Sequence, residues 1–454
     1  MKDILFIGGG PAGYGGAIRA KQRGLDVAVI EKDRLGGTCL NRGCIPTKTL
    51  FKNAEVIRDF KQAEKYGLPQ TEFSLDYAQV KKRKDEITEQ LVSGVEHLMD
   101  RHKIETIIGT GRFKDEHTVI VGDQEIQAKH IVIATGSAPA LPNVPGIDLP
   151  GVITSDDLLE IDELPKSMAV CGTGVIGLEF ASIFNEFGVE IHVIGSVLLR
   201  RDDSDIPKRL QAFMRRQGVK FHLGSRFSRI EEHEDGLAVY FPTKKGGEDF
   251  VVVEKVLVAS GRRQVFEELD LDKVGIIHDA KGIKVNEKLQ TNIEHIYACG
   301  DVLGRVQLAH LATAEAISIV ESLTGNPQSV NYNAVPSCTF VHPELASVGF
   351  TEDRLKEEGR AYKVSRFNFI ANGKALSMDQ TDGFVKVLAD ENNKLLGVHI
   401  LGPGASDLIA EGTLALQNEL TAENIMETIH AHPTLAEAFW EAVCALDSLA
   451  IHQL

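Results

Sequence analysis

The chain has 454 residues, of which 43% are hydrophobic and 25% are charged, a balance that is typical of soluble globular proteins. This length exceeds what one hydrophobic core usually holds, so we expect several domains. The formal net charge of −16 argues against nucleic acid or an anionic membrane as the main partner. The sequence shows neither an apolar run of membrane-spanning length nor an N-terminal targeting segment, which predicts a cytoplasmic protein.

The start of the chain predicts a β-α-β unit that binds a dinucleotide. A buried strand over residues 4–7 leads into a G-x-G-x-x-G turn, and a helix and a second strand follow. In such a turn Gly8 permits the tight bend, Gly10 lets the backbone approach a pyrophosphate, and Gly13 lets the helix pack on the strand. Glu31 ends the second strand, where a carboxylate can accept hydrogen bonds from ribose hydroxyls.

Two cysteines, Cys39 and Cys44, follow closely within residues 36–48, which read GGTCLNRGCIPTK. Their spacing allows one disulfide if the segment forms an irregular turn that enters a helix. The N-terminus of a helix lowers the pKa of a thiol, and disulfide exchange requires such a thiolate. No nearby histidine or cysteine completes a zinc site, so no metal is predicted. By itself the pair fits either redox chemistry or two buried structural cysteines.

The next part of the chain predicts helices, then strands, then a change of domain. Residues 50–105 are mostly helical in pattern, and the charge-rich stretch Lys81–Glu89 predicts a solvated helix face. Short strands over 106–133 close on Ala134-Thr135-Gly136. The prolines that follow predict a crossing between domains; they are Pro139, Pro142, Pro145 and Pro150.

A second G-x-G-x-x-G turn repeats the spacing of the first; its glycines are Gly172, Gly174 and Gly177. The same offset places Gly195 where the first unit has Glu31, so the second unit lacks the ribose carboxylate. Ser196, Arg200 and Arg201 lie just beyond. A site without an acid and with arginines nearby could admit a 2′-phosphate, unless these arginines simply face solvent.

Two features near the end of the chain also indicate chemistry. Asp301 ends a strand, where it can bind a chain of sugar-like hydroxyls. From about Pro336 strands and helices alternate as in a separate α+β domain. In its last part His432 and Glu437 are spaced so that the carboxylate can hold one imidazole nitrogen and leave the other as a base, although such pairs also occur as surface caps.

Together these motifs resemble those of the pyridine nucleotide–disulfide oxidoreductases, and most closely those of the members that oxidise dihydrolipoamide. The resemblance covers nearly the whole chain in one order, and the cysteine segment is its most specific part. The matching motifs are the first glycine turn, GGTCLNRGCIPTK at 36–48, ATG at 134–136, the glycine segment that ends at Glu179, Gly300-Asp301, and HAHPTLAE from His430.

The resemblance implies an α/β fold with two Rossmann-like dinucleotide-binding domains plus a C-terminal α+β dimerisation domain. The implied limits are 1–145 for an FAD-binding domain with the redox disulfide, 146–268 for an NAD(P)-binding domain, 269–335 for the second part of the FAD-binding and central domain, and 336–454 for the dimerisation domain.

The resemblance also implies roles for single residues. Glu31 would bind the adenosine ribose of FAD, Asp301 would bind the ribityl chain, and Lys48 would pair with Glu179 near the flavin N5. The implied catalytic residues are Cys39, Cys44, His432, Glu437, Lys48 and Glu179. The implied cofactor-binding residues are Gly8, Gly10, Gly13, Glu31, Thr38, Lys48, Gly136, Gly172, Gly174, Gly177, Gly261 and Asp301.

The implied reaction oxidises protein-bound dihydrolipoamide to lipoamide and passes hydride through the cysteine pair and FAD to NAD+. The implied partners are lipoyl domains of a 2-oxo acid dehydrogenase or glycine cleavage complex and a second copy of the chain, whose disulfide His432 and Glu437 would serve. Gly195 replaces the acidic residue of NAD-preferring members, and Arg201 matches one of two arginines of NADP-preferring members. NADP therefore stays an alternative, whereas the overall resemblance favours NAD.

Other functions are also compatible with parts of the sequence. A reductase of the glutathione type would need cationic groups for the peptide carboxylates, which the sequence does not reveal. The mercuric-ion branch usually carries a C-terminal cysteine pair, which residues 448–454 lack. A simple NAD(P)H oxidase would not need two cysteines at this spacing. A non-catalytic dimeric scaffold of a multienzyme complex is a different class, and the retained cysteines and His432 argue against it.

Overall fold

The computed structural model describes residues 1–69, 72–244 and 246–453. The predicted fold class is confirmed: α/β units with parallel sheets precede a C-terminal domain built on an antiparallel sheet. In the described part of the chain, no helix is both long enough and apolar enough to cross a membrane.

The first unit contains the first glycine turn and the cysteine pair. Its strands are β1 (Lys2–Ile7), β2 (Val27–Glu31), β3 (Glu105–Ile108), β4 (Gly111–Asp115), β5 (Thr118–Val121), β6 (Gln124–Ile133) and β7 (Ser137–Pro139). Its helices are α1 (Pro11–Gln22), α2 (Gly37–Arg42), α3 (Cys44–Lys61) and α4 (Tyr77–Arg101).

Strands β1 to β6 form one sheet in the order β3-β2-β1-β6-β5-β4. Strand β1 is parallel to both neighbours, with Ile4 level with Val27 on β2 and with His130 on β6. The run from Ile4 to Ile7 is buried throughout, as expected of a central parallel strand that helices cover on both faces. The chain leaves β1 at Gly8, whose φ of +111° and whose close approach to the carbonyl oxygen of Ala134 exclude a side chain.

The second unit contains the second glycine turn. Its strands are β8 (Val152–Ile153), β9 (Ser167–Cys171), β10 (Glu190–Gly195), β11 (Lys220–Leu223), β12 (Arg229–His233), β13 (Gly236–Pro242), β14 (Glu248–Val253) and β15 (Lys255–Val258). Its helices are α5 (Ser155–Leu158), α6 (Val175–Glu186) and α7 (Asp205–Arg216). The parallel sheet has the order β11-β10-β9-β15-β8, and β12-β13-β14 form a separate antiparallel sheet.

The chain then returns to the first unit. The returning strands are β16 (Arg262–Gln264), β17 (His278–Asp279), β18 (Gly282–Ile283) and β19 (Ile296–Ala298), with helices α8 (Leu271–Val274) and α9 (Ala309–Leu323). Strand β16 pairs with β7, and β19 joins the first sheet beside β6. Helix α9 packs on α1, where the buried Glu321 accepts hydrogen bonds from Arg19 and Arg23 at 2.6 and 2.7 Å.

The C-terminal domain is built on the strand order β20-β21-β24-β23-β22. Its strands are β20 (Ser337–Thr339), β21 (Leu345–Gly349), β22 (Lys363–Asn368), β23 (Phe384–Ala389) and β24 (Leu395–Leu401). Its helices are α10 (Glu352–Glu357), α11 (Gly373–Ser377), α12 (Ala405–Gln417), α13 (Ala422–Met426) and α14 (Glu437–Cys444). Strands β23 and β24 are buried along their whole length, as expected at the centre of a covered sheet.

A buried ion network joins the C-terminal domain to the second unit. The ammonium of Lys386 on β23 lies 2.7 Å from Asp203, 2.6 Å from Asp205 and 2.6 Å from Glu352. The side chains of Lys386 and Asp203 are completely buried. One cation thus holds carboxylates from two parts of the chain, which fixes their relative position.

Two local expectations need correction. The stretch Lys81–Glu89 is not wholly solvated, because Lys84 is 3% exposed and its ammonium lies 3.2 Å from Glu160. Lys84 lies on the face of α4 that packs on the rest of the protein. There its aliphatic side chain is buried while its ammonium is paired with a carboxylate. The cysteine segment is also more regular than an irregular turn, since α2 and α3 meet at Gly43. The domain limits stay a prediction.

Candidate active site

The two cysteines lie on successive helices and contact each other. Cys39 belongs to α2 and Cys44 is the first residue of α3, and the structure has them as free thiols. The hydrogen bond from the Cys39 thiol lowers the pKa of Cys44 to about 7 in spite of burial, and the Lys48 ammonium adds to this lowering. The same contact raises the pKa of Cys39, which stays protonated as the donor. The pair therefore carries one thiol and one thiolate near neutral pH.

The cysteine pair forms part of the wall of a cavity of about 790 Å³ between the first two units. This volume is in the range of about 300–1,000 Å³ that small-molecule and cofactor sites occupy. The predicted residues that line it are Gly8, Gly10, Glu31, Thr38, Cys39, Cys44, Lys48, Gly136, Glu179 and Asp301. A second cavity of about 80 Å³ adjoins Glu31 and the Gly109–Gly111 segment.

Glu31 is fixed at the end of β2 by the glycine turn. Its carboxylate is buried, and it accepts hydrogen bonds from the backbone N–H groups of Gly9 and Asp33 at 2.7 and 2.8 Å. Each oxygen keeps a further lone pair that can accept a hydrogen bond, and Glu31 lines the cavity. Gly13 does not line the cavity; it lets α1 pack on the turn, since a Cβ there would be 1.8 Å from the carbonyl oxygen of Gly8.

Lys48 and Glu179 meet on the wall of the cavity. The Lys48 ammonium donates to both carboxylate oxygens of Glu179, at 3.0 and 2.8 Å. The carboxylate also accepts the backbone N–H of Phe340 at 2.9 Å, and the ammonium lies 4.5 Å from the centre of the Phe340 ring. The side chain of Glu179 is 4% exposed whereas that of Lys48 is 31% exposed, so a buried carboxylate is paired with a partly accessible cation.

Asp301 is held by residues that the sequence analysis did not select. Its carboxylate accepts a hydrogen bond from the Ser137 hydroxyl at 2.5 Å. The Arg262 guanidinium in turn donates to the Ser137 hydroxyl and carbonyl at 2.7 and 2.8 Å. The sequence could have indicated both residues, because each follows a glycine that was already predicted to bind the cofactor: Ser137 follows Gly136, and Arg262 follows Gly261.

Gln307 and Cys338 are two further cavity residues that were missed. The Nε2 atom of Gln307 is buried and, among the described residues, has no hydrogen-bond partner. A buried donor without a partner is costly, so this amide indicates a ligand acceptor in the cavity. A polar residue just before the otherwise apolar start of α9 could have revealed it. The thiol of Cys338 has its pKa raised to about 11 by burial, so it stays protonated at neutral pH.

The glycines of the second turn, at the end of β9, do not line the large cavity. Gly172 and Gly177 serve close packing, because a Cβ at either would be 2.1 or 2.5 Å from a backbone carbonyl oxygen. Gly174 precedes α6, and Gly261 follows β15 with a φ of +138°. Val175 and Ile176, which lie between Gly174 and Gly177, do line the cavity.

His432 and Glu437 are paired with each other but not with the cysteines. The Nδ1 atom of His432 lies 2.8 Å from Glu437, which also accepts the Thr434 N–H at 2.8 Å. Partial burial opposes ionisation of Glu437, but these two hydrogen bonds lower its pKa. The His432 side chain is 77% exposed, and the hydrogen bonds of the described residues do not join it to Cys39 or Cys44. Its Nε2 is therefore presented to the exterior of this chain.

The residues present fit FAD. An extended dinucleotide needs a glycine turn for its pyrophosphate, a carboxylate for its ribose and polar groups for its sugar chain. Gly8, Gly10, Glu31 and Asp301 provide these groups along one cavity, and the unpartnered Gln307 amide adds a donor. The redox pair lies in the same cavity, so electrons can pass between it and a bound flavin ring.

Comparisons with known proteins place the whole chain among flavoprotein oxidoreductases. Residues 2–316 match the model of the pyridine nucleotide-disulphide oxidoreductase family, and residues 335–443 match the model of that family's dimerisation domain. A dihydrolipoyl dehydrogenase of Bacillus subtilis is 40% identical over 99% of each chain. The mitochondrial dihydrolipoyl dehydrogenase of Pisum sativum is 38% identical over 99% of this chain and 92% of its own.

A solved structure resembles the fold over nearly its full length. It is the HOCl-induced flavoprotein disulfide reductase RclA from Escherichia coli, with a TM-score of 0.86 and 29% identity over 97% of this chain and 99% of that chain.

Proposed function

The chain belongs to the pyridine nucleotide-disulphide oxidoreductase family, and we propose that within it the protein is a dihydrolipoyl dehydrogenase. It oxidises protein-bound dihydrolipoamide to lipoamide with FAD as cofactor and NAD+ as hydride acceptor. The observation that carries the proposal is that Cys39 and Cys44 contact each other in the wall of a cavity that Glu31 and Asp301 also line.

The residues that line the cavity would hold FAD next to the cysteine pair. When bound, FAD takes up two electrons from the dithiol and delivers a hydride to the nicotinamide. Glu31 accepts the ribose hydroxyls, because its two oxygens are already fixed by backbone donors. Asp301 accepts hydroxyls of the ribityl chain, and Ser137 and Arg262 keep its carboxylate in place.

The cysteines exchange their disulfide with the substrate. In the oxidised protein a dihydrolipoyl thiolate attacks the sulfur of Cys39, and Cys44 leaves as a thiolate, the form that its lowered pKa favours. The second lipoyl thiolate then attacks the mixed disulfide and releases Cys39. The products are lipoyl disulfide and a reduced cysteine pair, so two electrons have moved from the substrate to the protein.

His432 takes the proton of the attacking thiol. Glu437 accepts from Nδ1, which fixes the ring and leaves Nε2 as the base. Because His432 is exposed and does not contact the cysteines of its own chain, it serves Cys39 of a second copy. The match of residues 335–443 to the family's dimerisation domain supports a homodimer.

Lys48 and Glu179 would form a charged contact beside a flavin bound in the cavity. Lys48 lies one helical turn after Cys44, so its ammonium faces both the thiolate and Glu179. The pair provides a charged, oriented contact near the site of hydride transfer. The lipoyl domains of a 2-oxo acid dehydrogenase or glycine cleavage complex are the proposed partners, and a cytoplasmic location stays a prediction.

The test is to mix the FAD-loaded protein anaerobically with dihydrolipoamide and then with NAD+. We expect NADH to form, and we expect Cys44→Ala to abolish this while reduction of an artificial dye by NADH persists. Cys444→Ala is the matched control, since Cys444 is buried in the C-terminal domain away from the cavity, and it should leave both activities unchanged.

Other outcomes would replace the proposal. Reduction of glutathione disulfide without turnover of dihydrolipoamide would assign the protein to a glutathione-type reductase. A protein that retains FAD but turns over neither substrate would be a scaffold of its complex. Turnover that Cys44→Ala leaves intact would contradict the disulfide relay itself.

A further inference from the structure

The two glycine turns differ by a reciprocal exchange of side chains. In the first turn Gly9 stands opposite Glu31, and its N–H donates to that carboxylate at 2.7 Å. In the second turn the equivalent positions hold Thr173 and Gly195. In the first unit the side chain belongs to the residue at the end of the second strand, and in the second unit it belongs to the turn. The space between the turn and the strand end is therefore filled in both units, but from opposite sides.

Thr173 occupies the place that a ribose carboxylate would need. A Cβ built at Gly195 would be 2.5 Å from Cγ2 of Thr173 and 3.0 Å from its hydroxyl. The backbone at Gly195 is not in the left-handed region, so the Thr173 side chain, and not the backbone conformation, excludes a larger residue. The absence of an acidic residue at position 195 is therefore explained by the packing of Thr173.

The loop after β10 is tied to Thr173. The Thr173 hydroxyl donates to the carbonyl of Val197 at 2.7 Å, and the Thr173 carbonyl accepts the N–H of Leu199 at 3.0 Å. Leu199 has a positive φ of 43°, which turns the chain so that the exposed Arg200 and Arg201 follow directly at the turn. This attachment fixes the start of the loop that carries the two arginines after the end of β10, the strand end at which such units bind the nucleotide ribose.

Cationic side chains lie in loops near Gly195. Among the described residues, Arg200 and Arg201 form no ion pair with a carboxylate. The carbonyl of Gly195 accepts the N–H of Gly224 at 3.0 Å, and the side chain of Lys244 lies over Gly224, where a Cβ would be 2.6 Å from its Cε. A third cation thus lies next to the end of β10.

We propose that this second site accepts a 2′-phosphate, so that the protein uses NADP(H) as well as NAD(H). The inference rests on the proposed function only in taking the second unit as the nicotinamide nucleotide site. A carboxylate at the end of β10 would bind the 2′-hydroxyl and repel a 2′-phosphate. Here Thr173 replaces it, and unpaired guanidinium groups, which suit phosphate geometry, lie beside it.

The first test measures anaerobic reduction of the bound flavin by NADH and by NADPH, without any lipoyl substrate. We expect both to reduce it, with half-saturating concentrations within about tenfold of each other, since no like charge opposes the phosphate. The double variant Thr173→Gly with Gly195→Glu transfers the arrangement of the first unit to the second. It should raise the half-saturating NADPH concentration at least about tenfold relative to NADH, because a like charge then faces the phosphate.

The arginines are tested separately. Arg200→Ser and Arg201→Ser should each raise the half-saturating NADPH concentration about two- to fivefold, as expected for exposed ion pairs, and leave that for NADH unchanged. Arg209→Ser is the matched control, because Arg209 is an exposed arginine on α7 that packs over Phe213, and it should alter neither. Wild-type flavin that only NADH reduces, or an unchanged nucleotide ratio in the double variant, would overturn the proposal.

A binding measurement separates this inference from the proposed function. Calorimetry compares 2′,5′-ADP with 5′-AMP, which differ only in the 2′-phosphate and need no redox chemistry. Tighter binding of 2′,5′-ADP supports the inference even if dihydrolipoamide is not a substrate. Equal or weaker binding of 2′,5′-ADP overturns it even if dihydrolipoamide and NAD+ are turned over.

Discussion

The ammonium of Lys48 lies 3.0 and 2.8 Å from the two carboxylate oxygens of Glu179, which joins the helix of the redox cysteine to the helix of the second glycine turn. Because Lys48 follows Cys44 by one helical turn, the same cation also lowers the pKa of the Cys44 thiol. One side chain therefore links the charge of the thiolate to the position of the nucleotide-binding unit.

Replacing Lys48 by methionine should remove both the contact with Glu179 and the effect of the ammonium on the pKa of Cys44. Lys48→Met leaves the 4%-exposed Glu179 without its cation and removes one cause of the lowered pKa of Cys44. We expect turnover of dihydrolipoamide with NAD+ to fall at least about tenfold, which corresponds to about 1.4 kcal/mol of barrier. Steady-state rates and thiolate titration of the reduced protein measure both effects.

The control is Lys52→Met, one turn further along the same helix. Lys52 is 59% exposed and pairs only with Glu55 among the described residues, so its loss should change the rate little. Equal losses in both variants would mean that general helix stability, and not the contact with Glu179, explains the effect.

The thiolate at Cys44 depends first on the hydrogen bond from Cys39. Its pKa is lowered from 9.0 to about 7, so the anion is present above about pH 7 and disappears below it. Cys39→Ala removes the donor and should move the titration midpoint upward, so that between pH 7 and 9 the variant carries less thiolate. Far-ultraviolet thiolate absorbance of the reduced protein measures the midpoint. Cys171→Ala should leave it unchanged, because burial keeps Cys171 protonated; an unchanged midpoint in Cys39→Ala would contradict the prediction.

Local sequence patterns were sufficient for the parts of the site that depend on neighbours in the chain. The first glycine turn, Glu31 and the two cysteines could be selected because a short motif determines their geometry. The hydrogen bond between His432 and Glu437 likewise joins residues five apart in the chain.

Contacts between distant segments could not be derived in this way. Gln307 lies just before α9, and the packing of α9 on α1 places this part of the chain at the cavity. Lys84 is buried because one face of a charged helix meets residue 160. The exclusion of a side chain at Gly195 depends on the rotamer of Thr173, which no spacing reveals. Each of these three features depends on contacts between segments that are distant in the chain, and no short sequence motif predicts such contacts.

Gln307 should contribute more to FAD binding than to the fold. Its buried Nε2 has no partner among the described residues, so Gln307→Leu removes an unsatisfied donor from the cofactor-free protein and a hydrogen bond from the FAD-bound one. We expect the melting temperature of the cofactor-free form to stay the same or rise, and the Kd for FAD to increase about three- to tenfold. Fluorescence titration with FAD measures the Kd. Gln127→Leu, at an exposed position on β6, is the control; unchanged FAD affinity in Gln307→Leu would show that the amide does not meet the cofactor.

Lys386 should be essential for the junction between the second unit and the C-terminal domain. Lys386→Met leaves three carboxylates facing one another, at a cost of about 3–5 kcal/mol, which a lower melting temperature reports. Lys356→Met removes an exposed cation from the same Glu352 and should lower the melting temperature much less, because solvent screens that ion pair.

The effect of Lys386 should depend on pH in a defined direction. Partial burial opposes ionisation of Glu352, but hydrogen bonds from two lysines and Tyr362 lower its pKa to about 2. A carboxyl with a lowered pKa stabilises the folded state above its ordinary pKa of 4.5 and loses this contribution as the pH falls toward 2. The difference in melting temperature between wild type and Lys386→Met should therefore be largest at neutral pH and shrink below about pH 4.5. A difference independent of pH would indicate lost packing alone.

The exposure of His432 predicts that two inactive variants restore each other. His432→Gln lacks the base and Cys44→Ser lacks the leaving thiolate, so each homodimer should be inactive with dihydrolipoamide. In a mixed dimer, the intact Cys44 of one subunit faces the intact His432 of the other at one of the two sites. After unfolding and refolding an equal mixture with FAD, random pairing should give about a quarter of the wild-type activity. Wild type that is unfolded and refolded in the same way measures how much activity refolding recovers. Each variant refolded alone measures the background activity. Activity no higher than that background would mean that His432 serves the cysteines of its own chain, since no mixed dimer would then contain a complete site.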